Sequence, residues 1–226
     1  MKALLFDMDG TLIDSMGMWM SLESDYMRTL GVDPQEVDTD QIATLGVEET
    51  LALLKKQFGI QASTEDVERY VHDRLHHFFE QEVQLRPGVR ETLRAFRELG
   101  VPMGVGTASQ YELAEMALKT VGIFDQFDFV QSVSTVGYSK NDRRFFYKAA
   151  ERFGVQPQEV CLFDDALYAC VTAKVAGYYV VSVIDPAYEQ DVQALLRESN
   201  EQLPDFVNFD VRAWAQNHGL VEAYNE

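Results

Sequence analysis

The sequence predicts an α/β protein: a parallel sheet flanked by helices, interrupted after its first strand by an all-helical insert. Three observations lead there. Ala3-Leu4-Leu5-Phe6 is an unbroken apolar run that meets Asp7-Met8-Asp9-Gly10, and a short apolar run ending in a turn signal reads as a strand buried on both faces. Val160-Cys161-Leu162-Phe163 repeats the pattern and meets Asp164-Asp165. Between these runs, residues 15–84 keep a helical period and hold no good strand. A helical insert of that length makes a lobe of its own, so the expected division is a core of 1–14 and 85–226 and a helical domain of 15–84.

Asp7 falls at the carboxyl end of the first strand, where open α/β sheets bind their ligands. Asp7 and Asp9 are two apart, so in an extended segment both side chains point the same way. Gly10 permits a sharp turn, and Thr11 can accept hydrogen bonds from the backbone that follows. Two carboxylates on one side of a strand end repel, and persist only beside a cation, a proton or solvent. Trp19, Leu22, Tyr26 and Leu30 then recur at helical spacing. Met16, Met18, Met20 and Met27 among them read as helix packing before an adaptable binding surface. Leu45-Gly46-Val47-Glu48-Glu49-Thr50 breaks the pattern, and Leu51, Leu54 and Phe58 resume it. Ser63-Thr64-Glu65-Asp66 opens another helix, with Val67, Tyr70, Val71, Leu75, Phe78 and Phe79 as its stripe. His72 and His76, four apart, approach a zinc-helix spacing. No third ligand lies nearby, so a solvated face is the preferred reading.

Arg86-Pro87-Gly88 ends the insert. A helix through Val89, Leu93, Phe96 and Leu99 closes at Gly100. The strand that follows ends in Gly106-Thr107-Ala108-Ser109, which alone reads first as a helix cap by Ser109 and, with the resemblance given below, as a phosphate seat. Gly106 would let the backbone approach, Thr107 would donate its hydroxyl, and a helix starting near Ser109 would offer free N–H groups. A helix over 110–121, a strand over 128–131, Lys140 on a polar loop and a helix ending at Gly154 come next. Beyond Asp164-Asp165 the expectation is a helix over 166–176 and a strand over 178–183. The tail adds an acidic helix with Val192, Leu195 and Leu196, then an edge strand over 205–209, with Trp214 and Leu220 packing back.

Composition sets bounds. The chain has 226 residues, 46% of them hydrophobic, with 19 basic against 37 acidic residues and a net charge of −18. That balance disfavours nucleic acid and anionic membrane as partners. It also demands a local cation if the ligand is a phosphate. Cys161 and Cys170 stand in apolar runs and read as buried thiols. No run approaches a transmembrane length, and the apolar start is too short for a signal peptide, so the cytoplasm is the expected compartment.

The stretch Asp7-Met8-Asp9-Gly10-Thr11-Leu12-Ile13-Asp14-Ser15 resembles the first motif of the haloacid dehalogenase-like hydrolases. It is most similar to the phosphatase and β-phosphoglucomutase-like branch, which has a Rossmann-like core and a small helical cap. Val105-Gly106-Thr107-Ala108-Ser109, Lys140 and Phe163-Asp164-Asp165 are similar to the later motifs, in the same order. The resemblance implies a phosphatase of a small phosphorylated metabolite. It implies Asp7 as the nucleophile that becomes an aspartyl-phosphate, and Asp9 as the acid and base. Thr107, Ala108 and Lys140 would bind phosphate. Asp7, Asp9 through its carbonyl, Asp165 and, farther out, Asp164 would hold Mg²⁺, a hard cation suited to oxygen ligands. The family usually has Pro after the lysine, where this chain has Asn141, and smaller residues where it has Ala166-Leu167-Tyr168. The loop 45–50 would reach the substrate. It carries no Lys or Arg, so a second substrate phosphate has no obvious clamp there. Lys55 or Lys56 as a Schiff-base lysine, a phosphomutase, and a catalytically silent binding member are the competing readings.

Overall fold

The computed structural model describes residues 1–38, 46–185 and 192–221. They divide into two compact units, Met1–Met16 with Glu82–Glu226, and Gly17–Gln81.

The larger unit is built on a six-stranded, wholly parallel sheet. Its strands are β1 (Ala3–Phe6), β2 (Met103–Thr107), β3 (Phe129–Ser132), β4 (Val160–Asp164), β5 (Tyr179–Val183) and β6 (Glu201–Leu203), in the order β3-β2-β1-β4-β5-β6. The chain adds strands on one side of β1, then returns to add β4 on the other. That reversal leaves a crevice beyond the carboxyl ends of β1 and β4. Leu4, Leu5, Phe6, Leu162 and Phe163 are wholly buried, as a strand covered on both faces requires. Phe6 stacks on Phe163 with centroids 4.8 Å apart, and Phe163 meets Trp214 at 5.4 Å. Leu5 and Leu162 join the cluster holding Phe145, Phe146 and Cys170. Cys161 and Cys170 are buried free thiols.

The expected elements of this unit recur within a residue or two, with one exception. The edge strand is Glu201–Leu203, paired to β5 through Val181–Glu201 and Val183–Leu203, not 205–209. Pro204 cannot extend a ladder. Asp205 instead accepts from the Val207 amide at 2.8 Å and closes a turn. Phe206 is buried and Phe209 packs on Phe163 and Trp214, so the apolar pattern there marks packing and not a ladder.

The smaller unit is helical in its described residues. It holds α2 (Val47–Phe58) and α3 (Thr64–His77), and most of α1 (Met16–Thr29). Met27, Val32, Leu51, Leu54 and Ile60 form its core. Ser63 and Asp66 cap each other to start α3. Met18 and Met27 are buried whereas Met20 is 60% exposed, so the methionines divide between packing and surface. His72 is exposed, with the His76 ring 4.2 Å away. Of the loop 45–50, Leu45 lies outside the described residues, and Val47, Glu48, Glu49 and Thr50 form the first turn of α2. Lys55 and Lys56 are exposed in its last turn. Among the described residues no helix is long and apolar enough to cross a membrane.

Candidate active site

β1 and β4 are neighbours in register, Phe6 beside Phe163, and the Asp7 amide donates to the Phe163 carbonyl at 2.8 Å. Asp7 and Asp164 therefore leave the sheet side by side. Lys140 reaches both. Its Nζ donates to Asp7 Oδ1 at 2.7 Å and lies 2.5 Å from Asp164 Oδ2. All three residues are buried, and a buried charge persists only when paired. Ser139 to Asp142 form the turn that delivers Lys140, closed by the Asp142 amide on the Ser139 carbonyl at 2.9 Å. The Asp142 side chain then caps the helix Arg143–Phe153. Asn141 occupies the third position of this turn, so its difference from the usual Pro leaves the lysine in the site.

Asp165 is also buried, and its Oδ1 accepts from the Thr11 hydroxyl at 3.1 Å. Thr11 was expected to accept from the local backbone; its hydroxyl instead ties the β1 turn to the end of β4. Gly10 makes that closure possible. Its φ is +76°, and a Cβ there would lie 2.5 Å from Asp165 Oδ2. The Arg86 guanidinium grips the same turn, donating to the Gly10 carbonyl and, at 2.7 Å, to the Ile184 carbonyl.

One carboxylate oxygen from each of Asp7, Asp164 and Asp165 lies within 4.8 Å of the others. Three negative charges against one from Lys140 leave two uncompensated. An all-oxygen group with that balance suits a hard divalent cation. Burial lifts the Asp7 carboxyl above its usual range; Lys140 opposes this, and Asp165 and Asp9 add to it. Burial likewise lifts Asp164, against Lys140 and with Asp7. Burial disfavours the Lys140 ammonium, but Asp164 and Asp7 outweigh it and hold the ammonium charged above its ordinary value.

Asp9 behaves differently. Its carboxylate accepts from the Ser15 hydroxyl and the Ser109 hydroxyl, each at 2.7 Å, and stands outside the three-oxygen group. Ser109 therefore does not cap the next helix, Tyr111–Thr120, through its hydroxyl. Thr107 is buried, and its Oγ1 accepts from the Ser109 amide at 3.0 Å. A Cβ at Gly106 would meet the Leu5 side chain at 3.1 Å, so its bareness serves sheet packing. Asp7, Asp9, Ala108, Lys140 and Asp165 line one cavity of about 350 Å³, with Met16, Ala166, Leu167 and Tyr168.

Sequence reasoning missed three participants. Ser15 and Ser109 carry no signal beyond a hydroxyl near the motifs, and Arg86 is marked only by the turn it opens.

The arrangement can hold a divalent cation beside a buried carboxylate that is itself paired with an ammonium, at a sheet edge open to a cavity. Residues 1–177 match the family model of the haloacid dehalogenase-like hydrolases. The chain is 29% identical over 200 residues to hexitol phosphatase B of Escherichia coli (strain K12), covering 87% of this chain and 89% of that protein. It is 26% identical to the phosphorylated carbohydrates phosphatase of Thermotoga maritima, over 78% and 82% of the two chains. In fold it is similar to a HAD family hydrolase of Deinococcus radiodurans R1, solved with bound phosphate and sodium. That likeness has a TM-score of 0.75 and 23% identity, over 98% and 97% of the chains. The chain belongs to the haloacid dehalogenase-like hydrolases, in their phosphatase and phosphomutase branch.

Proposed function

We propose that the protein is a Mg²⁺-dependent phosphomonoesterase of a small phosphorylated metabolite, working through an aspartyl-phosphate on Asp7. The observation that carries this reading is the buried Asp7 carboxylate, 2.7 Å from Lys140 and grouped with Asp164 and Asp165. Asp7 attacks phosphorus and the bond to the substrate's alcohol oxygen breaks. Asp9, as its carboxylic acid, gives that oxygen a proton. Water then attacks the same phosphorus while Asp9 takes its proton, and the bond to Asp7 breaks. The Ser15 and Ser109 hydroxyls orient the Asp9 carboxylate for this traffic. Lys140, the Thr107 hydroxyl and the Ala108 backbone hold the transferring oxygens, where charge develops.

Asp7, Asp164, Asp165 and the Asp9 carbonyl would hold the Mg²⁺. When bound, it offsets the carboxylates and polarises the phosphoryl group. The names of the two phosphatase relatives favour a phosphorylated sugar or polyol.

The test is a panel of phosphorylated metabolites with and without Mg²⁺, run beside Asp7→Asn. Turnover that needs both the metal and Asp7 is expected. Equal turnover by wild type and variant on every ester ends the reading.

A further inference from the structure

We propose that the cavity at the sheet edge selects monoesters whose leaving group is uncharged and hydroxyl-bearing, and that Tyr168 is the specificity-determining residue against which that group lies. This rests on the phosphatase reading and deepens it.

The cavity's lining carries the argument. All its residues belong to the larger unit. Its acidic side is Asp7, Asp9 and Asp165, and among the described residues its lining cation is Lys140, already engaged by Asp7 and Asp164. The remaining wall is apolar: Met16, Ala108, Ala166, Leu167 and the ring of Tyr168. Once the transferring phosphoryl is seated, no cationic side chain among the described lining residues is left to neutralise a second anion. A carboxylate or second phosphate on the leaving group would meet carboxylates or apolar surface, both unfavourable. An uncharged leaving group meets neither cost.

Tyr168 gives such a group something to lie on. It sits in the first turn of the helix Leu167–Ala176, which starts one residue after the Asp164-Asp165 pair. Its backbone carbonyl accepts from Thr172 at 2.8 Å, so its main chain is fixed. Its side chain is not packed away: the residue is 44% exposed, against complete burial for the next two, Ala169 and Cys170. Among the described residues its phenol makes no hydrogen bond. An exposed aromatic face with a free hydroxyl, beside a phosphoryl site, matches the C–H face and hydroxyls of a polyol.

The experiment compares hexitol phosphate, methyl phosphate and phosphoglycolate as substrates for wild type, Tyr168→Phe and Tyr168→Ala. Thermal melts confirm that each variant folds. Wild type is expected to favour the hexitol ester over phosphoglycolate in kcat/KM. Tyr168→Ala should raise KM for the hexitol ester by about tenfold, with kcat within about twofold and methyl phosphate unaffected. Tyr168→Phe should raise the same KM by a few fold, reporting the hydroxyl alone. Preference for phosphoglycolate in the wild type overturns the proposal. So does a Tyr168→Ala loss that is equal on the hexitol and methyl esters, or that falls on kcat, since a merely structural role would act in that way. If no ester is turned over in an Asp7-dependent manner, the phosphatase reading itself fails and this inference falls with it.

Discussion

At the end of β1 two aspartates are separated by Met8; at the end of β4 two are adjacent. Each strand end sends one carboxylate to Lys140, Asp7 from the first and Asp164 from the second. The remaining two part company. Asp165 stays buried and accepts from Thr11 of the opposite strand's turn. Asp9 turns to two serine hydroxyls. Four similar carboxylates thus occupy three environments: an ammonium pair, a buried position tied by a hydroxyl, and a partly open position held by serines. Spacing along either strand does not decide this. The parallel register and the cation between the strands do.

Removing the shared cation should break the comparison most completely. Lys140→Met leaves Asp7 and Asp164 buried together without compensation. Turnover should fall by about a thousandfold, with stability lower by about 3 kcal/mol. Steady-state rates and urea unfolding measure both. The two remaining carboxylates should then separate by function. Asp9→Asn should cut turnover by about a thousandfold while Mg²⁺ affinity, read by calorimetry, stays within about threefold. Asp165→Asn should weaken Mg²⁺ binding by about a hundredfold. Equal metal affinities in these two variants would erase the distinction between the strand ends.

Smaller effects sharpen the same picture. Gly10→Ala forces a side chain onto the Asp165 carboxylate at a positive φ, and should cost about 2 kcal/mol in urea unfolding together with weaker Mg²⁺ binding. The pH dependence is the smallest. Asp7 and Asp164 are lifted from 3.8 toward about 7, chiefly by burial against the pull of Lys140. A carboxyl whose folded value is raised binds protons more readily in the native state than when unfolded. The metal-free protein should therefore lose stability as pH rises through that window, by at most about 1.4 kcal/mol per pH unit for each extra proton. Urea midpoints from pH 5 to 8 should show that slope, and Asp164→Asn should flatten it.

Much of this was readable in the chain. Ala3-Leu4-Leu5-Phe6 and Val160-Cys161-Leu162-Phe163 announce strands buried on both faces because nothing polar interrupts them. The carboxylates that end them mark the sheet edge where ligands collect. Lys140 was legible through its resemblance alone, since one lysine in a polar loop has no local signature. The rest depends on distances that sequence does not carry. Thr11 meets Asp165 across 154 positions, and Ser109 meets Asp9 across 100, so local backbone rules gave Thr11 the wrong partner and offered Ser109 only helix capping as an alternative. That Gly106 makes room for the Leu5 side chain was equally unreadable, because Leu5 is on another strand. The misplaced edge strand at 205–209 has the same origin: Phe206, Val207 and Phe209 give it a strand-like apolar run, yet Phe206 and Phe209 pack on Phe163 from a turn.

The most direct measurement is chemical trapping of the phosphorylated residue. A turnover mixture with hexitol phosphate and Mg²⁺ is quenched in acid, reduced with borohydride and read by peptide mass spectrometry. The expected result is conversion of Asp7 to homoserine, absent when Mg²⁺ is withheld and absent in Asp165→Asn. Reduction at Asp9 or Asp164 instead, or vigorous hydrolysis with no residue modified, would contradict a nucleophile held between β1 and β4.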